Sequence, residues 1–281
     1  MLSMSDVASK YVSVGGRKLH YLEAGSGPPV LLLHGWPTNA QLWRRTLGPL
    51  GETRRAIALD LPGFGGSDKP TDIVYSFRFF DEVLTGFLDA VRVQKTGLVV
   101  HDLGGPIGLH WATKNPDRVT DLAVLNTLVF PETSWAVKLF VVATFLPGVR
   151  EYLSSPAGVR AAMKLGVRDK SKVTPEVAAL YSGPYEGREA RKALLKAGHG
   201  LSPRGLAETA RGLTALRVPV RLVYGEADRI LPDVAKTMSR LKGIWPEAEV
   251  TSLKDCGHFL QEDAGDEVSR LLVAFFRSTA C

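Results

Sequence analysis

Cysteine is nearly absent from this 281-residue chain: Cys256 and Cys281 are the only two, and the second is the last residue. Two such thiols make a disulfide framework unexpected, and a reducing, cytoplasmic setting fits best. Long hydrophobic runs are missing as well. The longest near the middle, Phe140–Leu146, falls far short of the ~20 residues that a membrane span needs, so no membrane partner is expected. The opening Met-Leu-Ser-Met-Ser-Asp-Val lacks the charged and apolar regions of a signal peptide. No set of His, Cys, Asp and Glu has metal-ligand spacing, and neither G-x-G-x-x-G nor Walker spacing occurs. No metal and no cofactor are therefore expected.

What is there is an ordinary globular composition, 45% hydrophobic and 23% charged, long enough for one sizeable α/β domain with an insertion. The net charge of +6 invites a nucleic-acid reading. The excess is local, however: residues 148–217 hold 13 Lys/Arg against 6 Asp/Glu. These charges alternate with apolar residues at helical spacing, as in Arg188-Glu189-Ala190-Arg191-Lys192-Ala193-Leu194, with no aromatic stacking platform. A solvated helix face explains them better than a nucleic-acid partner.

Strand patterns cover Tyr11–Val14 and Lys18–Glu23 around Gly15-Gly16, then Pro29–Leu33, Arg55–Asp60, Gly97–His101, Leu122–Asn126, Val218–Tyr224 and Glu249–Leu253. Helical patterns intervene at Phe77–Val93, Pro106–Asn115 and Glu267–Arg277. This alternation predicts an α/β fold with a mostly parallel, doubly wound sheet. Residues 131–214 break it, showing helical stretches and no strand. They read as a helical cap inserted between two parts of a core, 1–130 and 215–281, over the carboxyl edge of the sheet, where such folds bind ligands.

Asp102, in Val100-His101-Asp102-Leu103-Gly104-Gly105, falls where a strand ends and a helix begins. A nucleophile held on such a sharp turn needs small neighbours, and Gly104 and Gly105 provide them, although Val100 is larger than the usual glycine. The same position suits a plain helix N-cap. His101 alternates to the opposite face and reads as structural. Two later groups bear on the choice: Gly225-Glu226-Ala227-Asp228 and Gly257-His258-Phe259 each follow a strand. Nucleophile, acid, histidine is the chain order of α/β-hydrolases, with Asp228 preferred to Glu226 as the acid. Asp60 and the glycine-rich loop to Ser67 read as a structural turn beside His34, and Trp43 and Trp111 as core.

The sequence resembles the epoxide hydrolase and haloalkane dehalogenase branch of the α/β-hydrolase superfamily. His34-Gly35-Trp36-Pro37, Asp60-Leu61-Pro62-Gly63-Phe64-Gly65-Gly66-Ser67, His101-Asp102-Leu103-Gly104-Gly105 and His258-Phe259-Leu260-Gln261-Glu262-Asp263 carry the resemblance. Aspartate at the elbow is its specific part. A carboxylate there attacks a saturated carbon and forms an alkyl-enzyme ester. His258, oriented by Asp228, would then activate water to hydrolyse that ester. The resemblance implies that the backbone N–H groups of Trp36 and Leu103 form the oxyanion hole.

The resemblance leaves two substrates open. Dehalogenases usually place a tryptophan donor after the nucleophile and an asparagine after His-Gly; here these are Leu103 and Trp36, and His-Gly-Trp-Pro is more typical of epoxide hydrolases. Gly104–Leu109, His258–Asp263 and Tyr181-Ser182-Gly183-Pro184-Tyr185 look closer to dehalogenases. The expectation is an epoxide hydrolase forming a vicinal diol, with haloalkane dehalogenase or a non-catalytic ligand-binding protein as alternatives. Its partners would be a small-molecule epoxide and water, and the chain a monomer or homodimer. Ring opening needs an acid from the cap; among Tyr152, Tyr181, Tyr185 and His199, the pair Tyr181 and His199 is expected.

Overall fold

The computed structural model describes residues 7–279; Cys281 and the first six residues of the opening segment lie outside the described residues. Its centre is one eight-stranded sheet in the order β1-β2-β4-β3-β5-β6-β7-β8. Strands β1 (Ala8–Val14) and β2 (Arg17–Ala24) form the hairpin at Gly15-Gly16, with φ positive at both glycines as a tight hairpin turn requires. Strand β2 is antiparallel to β4 (Arg55–Leu59), and from there every pairing is parallel, through β3 (Pro29–Leu33), β5 (Thr96–His101), β6 (Val119–Leu125), β7 (Val220–Gly225) and β8 (Glu249–Leu253).

The inner parallel strands are largely apolar because helices cover both faces of the sheet, whereas the edge strand β8 is mostly exposed. Every residue of β5 is buried, as are Val30–Leu33 of β3. Burying one such aliphatic side chain stabilises the fold by roughly 1.5–3 kcal/mol. The core helices are α1 (Arg44–Gly51), α2 (Phe77–Ala90) and α3 (Gly104–Lys114), with α10 (Val234–Ile244), α11 (Leu260–Asp263) and α12 (Gly265–Ser278) after the insertion. Trp43 and Trp111 are fully buried, as core residues.

Between β6 and β7 lie α4 (Trp135–Ala143), α5 (Val149–Leu153), α6 (Pro156–Gly166), α7 (Pro175–Ser182), α8 (Arg188–His199) and α9 (Pro203–Gly212), with no strand among them. Serine or threonine starts four of these helices: Ser134, Ser155, Thr174 and Ser202 each accept a backbone N–H three residues on. Side chains and backbone bolt the cap to the core. Asn39 donates to the Leu180 carbonyl at 2.8 Å, and Asp263 accepts the N–H groups of Arg168, Asp169 and Gly257. Among the described residues no helix is long and apolar enough to cross a membrane.

Candidate active site

Asp102 sits on the turn between β5 and α3 with φ of +49°, a left-handed conformation unusual for a residue with a side chain. Its surroundings over-determine that strain. The Asp102 N–H donates to the Asn126 carbonyl at 2.9 Å, and the Thr127 hydroxyl donates to the Asp102 carbonyl at 2.6 Å. Close approach explains the glycines: a Cβ on Gly104 would lie 2.4 Å from the His34 carbonyl oxygen, and one on Gly105 1.8 Å from Thr127 Oγ1. On the facing turn, a Cβ on Gly35 would lie 2.2 Å from Asp102 Oδ1. The N-cap alternative fails, because α3 starts without any side-chain cap.

The carboxylate is divided between two tasks. Oδ1 accepts the Trp36 backbone N–H at 2.6 Å, and the Leu103 N–H also bonds the carboxylate. Oδ2 lies 3.2 Å from His258 Nε2. On the other side of the imidazole, Nδ1 lies 2.8 Å from Asp228 Oδ2. Structure thus brings together all five residues expected of the triad and the oxyanion hole. Glu226, the rival acid, is exposed, whereas Asp228 is buried.

Charge follows from this geometry. Burial opposes a charge on His258, yet the Asp228 and Asp102 carboxylates and their hydrogen bonds outweigh it and push the imidazole up to about 10. Burial likewise works against ionised Asp102, but the hydrogen bond and charge of His258 hold its carboxyl below the ordinary value. Asp228 is lowered against its burial too, by His258, the Leu231 N–H and Asn126.

Asn126 escaped sequence reading. Its amide donates to Asp228 Oδ2 at 2.8 Å and its oxygen accepts the Gly225 N–H at 2.9 Å, so it aims the acid. Its position just past β6, at the same sheet edge as the nucleophile, was the available signal. His101 is structural as expected: its Nε2 lies 2.9 Å from the His258 carbonyl, and burial lowers it to about 4, leaving it neutral. Asp60 is a hub for its loop, with Oδ1 accepting from Ala40 and Oδ2 from Gly66, each at 2.6 Å. His34 accepts the Leu61 N–H beside it.

The expected cap acids are placed differently from one another. Tyr181 is fully buried, and its hydroxyl donates to Glu262 Oε1 while accepting from Arg44 at 3.0 Å. Arg44 also grips Glu262 at 2.5 and 2.6 Å. The expectation that Tyr181 protonates a leaving group runs against this geometry, since its proton is already committed to a carboxylate. Burial and the Glu262 charge also hold the phenol well above its usual range. His199, at the end of α8, is half-buried, bonds the Thr144 hydroxyl and stacks on Phe145 at 4.6 Å. Its neighbour Gly198 lies against the Trp36 ring, since a Cβ there would be 3.5 Å from the indole. Tyr152 is exposed, and Tyr185 is buried beside the Asp60 loop. Among the described residues no His/Cys/Asp/Glu group could hold a metal ion.

Comparison with known proteins gives a family model described as alpha/beta hydrolase fold, matching residues 28–265. The chain is 29% identical to a cis-3-alkyl-4-alkyloxetan-2-one decarboxylase of Shewanella oneidensis, over 96% of this chain and 88% of the relative. It is 31% identical to a haloalkane dehalogenase of Mesorhizobium japonicum, over 92% and 87%. Among solved structures, the haloalkane dehalogenase DatA from Agrobacterium tumefaciens superposes with TM-score 0.83 at 26% identity, over 98% of this chain and 97% of that one. An epoxide hydrolase, CorEH, shares the fold at TM-score 0.80 and 23% identity, over 97% and 99%.

Proposed function

The chain belongs to the α/β-hydrolase fold family, in its epoxide hydrolase and haloalkane dehalogenase branch, and we propose that it opens epoxides to vicinal diols through an alkyl-enzyme ester on Asp102. The observation that carries this reading is the division of the Asp102 carboxylate. Oδ2, on the His258 side, attacks a saturated carbon in line and displaces the ring oxygen. Oδ1 becomes the ester carbonyl oxygen, already under the Trp36 N–H, with the Leu103 N–H at the same carboxylate as the second donor for the oxyanion of the next step. Water then attacks the ester carbon, the Cγ–Oδ2 bond breaks, and the diol leaves with Oδ2 while Asp102 keeps the oxygen of the water. The balance needs no cofactor.

Esterification itself prepares the base. It removes the Asp102 charge, and with it part of what holds the proton on His258. The imidazole pKa then falls, its proton is released to solvent, and the neutral ring accepts a proton from the attacking water, with Asp228 stabilising the imidazolium that re-forms.

Leaving-group chemistry supports an oxygen over a halide. Leu103 has no side-chain donor, and the Trp36 indole N–H points to the Leu194 carbonyl at 3.3 Å. The ring oxygen needs a proton, and of the two expected acids His199 is the one beside the Trp36 turn. Burial lowers its pKa, so as a neutral imidazole it donates a hydrogen bond to the developing alkoxide, which takes its proton from solvent. A second reading is favoured by the oxetanone decarboxylase relative: a four-membered lactone opened at its alkyl carbon expels a carboxylate, which leaves without any acid.

One experiment separates these. His258→Phe is incubated with an epoxide, a bromoalkane and an oxetan-2-one, and the protein is weighed by mass spectrometry. The epoxide reading expects an adduct of full epoxide mass on Asp102, slowed about 10²-fold or more by adding His199→Phe. An adduct from the lactone alone, unaffected by His199→Phe, favours the second reading. An alkyl adduct with bromide release marks a dehalogenase. No adduct from any of them overturns the alkyl-enzyme route.

A further inference from the structure

Helix α4 has the sequence Trp-Ala-Val-Lys-Leu-Phe-Val-Val-Ala, with Lys138 its one charge, and yet none of its residues is buried. Trp135 is 71% exposed, Leu139 60% and Val142 56%, and the apolar surface runs on through Phe145 and Leu146 to Val149 and Tyr152. A helix apolar round its circumference is ordinarily covered, and an exposed apolar patch of this extent marks an interaction site. The inner side of the same helix meets the active site, with Phe140 edge-on to Trp36 at 4.7 Å. The patch is therefore the outer surface of the roof over the oxyanion turn.

Cations frame it. Residues 134–172 hold seven Lys/Arg against two Asp/Glu, and Lys138, Arg160, Lys164 and Arg168 are exposed. A second copy docked through this face would bring like charges together. An anionic phospholipid surface complements both the apolar patch, with Lys138 on the same helix, and the net positive charge of the segment that carries it.

We propose that α4 and the start of α5 dock the protein on anionic bilayers, lying in the interface with their outer apolar side inserted, without spanning the membrane. This goes beyond the epoxide reading and adds a substrate class to it: apolar molecules that partition into the bilayer and reach Asp102 past α4. Only that addition rests on the reading above.

The test floats the full chain with vesicles of phosphatidylcholine alone, and with others containing about one-quarter phosphatidylglycerol. The wild type is expected to bind the anionic vesicles about tenfold or more tightly than the neutral ones, and to lose that preference at high salt. The variant combining Trp135→Ser, Leu139→Ser and Val142→Ser is expected to bind them at least about tenfold less, with thermal melting and turnover of a water-soluble substrate unchanged. Wild type left unbound by both vesicles overturns the proposal, as does equal, salt-independent binding to the two. So does a wild-type dimer that the triple variant dissociates and that binds no vesicle, which would assign the patch to a second copy. Vesicle binding is read without substrate, so its failure leaves the Asp102 reading standing, and failure of the adduct experiment leaves docking standing.

Discussion

Below Asp102, on the sheet edge, the groups of the site sit close together: the Trp36 N–H on the carboxylate, His258 Nε2 3.2 Å from it, Asp228 on the imidazole and Asn126 on Asp228. Above it the cap is held at scattered points. The Arg44–Glu262–Tyr181 network and the Asn39–Leu180 bond pin α7, Asp263 pins the loop after α6, and α4 leans on Trp36 and His199 with no buried residue of its own. The contrast divides the reaction. On the proposed alkyl-enzyme route, ester hydrolysis would depend on groups below Asp102, whereas the choice of substrate and the handling of its leaving group would fall to the cap.

The sharpest way to break that division is Asp102→Ala. Turnover should fall about 10⁴-fold or more, as when a member of a nucleophilic triad is lost. Steady-state rates within tenfold of wild type would remove the nucleophile from the lower layer altogether. Next is Asn126→Ala, which takes one hydrogen bond from a buried carboxylate, worth about 1.5–3 kcal/mol. Rapid-quench kinetics should show ester hydrolysis slowed about 10–100-fold with alkylation nearly unchanged; equal slowing of both steps would make Asn126 a general packing residue.

On the cap side, Tyr181→Phe deprives the buried Arg44–Glu262 pair of its third member. Denaturant unfolding should register a loss of about 1–3 kcal/mol, with alkylation and hydrolysis affected alike. Selective slowing of alkylation would return the phenol to the chemistry. A pH dependence of stability is also expected. His258, raised to about 10 in the fold, contributes stability fully present below its unfolded value of about 6.5 and lost as pH rises through about 10. Thermal melts between about pH 7 and pH 10 should therefore fall more steeply for wild type than for His258→Phe, each kcal/mol corresponding to roughly 2–4 °C. Parallel curves would place the imidazole's pKa near its ordinary value.

Most of the lower layer was legible in the residues. Buried parallel strands are apolar runs, so Pro29–Leu33 could be bounded to the residue, and the candidate catalytic groups follow strands in a characteristic order. Asn126 was not legible, because an asparagine past a strand is common and its value lies in reaching Asp228, 102 residues away. Tyr181 misled for the same reason. Its place at the end of a helical pattern suggested a side chain facing the sheet, which it has, but its partners Arg44 and Glu262 come from α1 and α11.

The sequence alone determined that Asp102 stands at a strand-to-helix turn with a histidine and an acid to follow, since local periodicity and glycine spacing are written in neighbouring residues. It left open whether Asp102 is a nucleophile or a helix cap. Tertiary structure removed the helix-cap alternative and supports the nucleophile proposal, by pointing the carboxylate away from α3 to the Trp36 N–H and to His258, groups that only the folded sheet brings within hydrogen-bond distance.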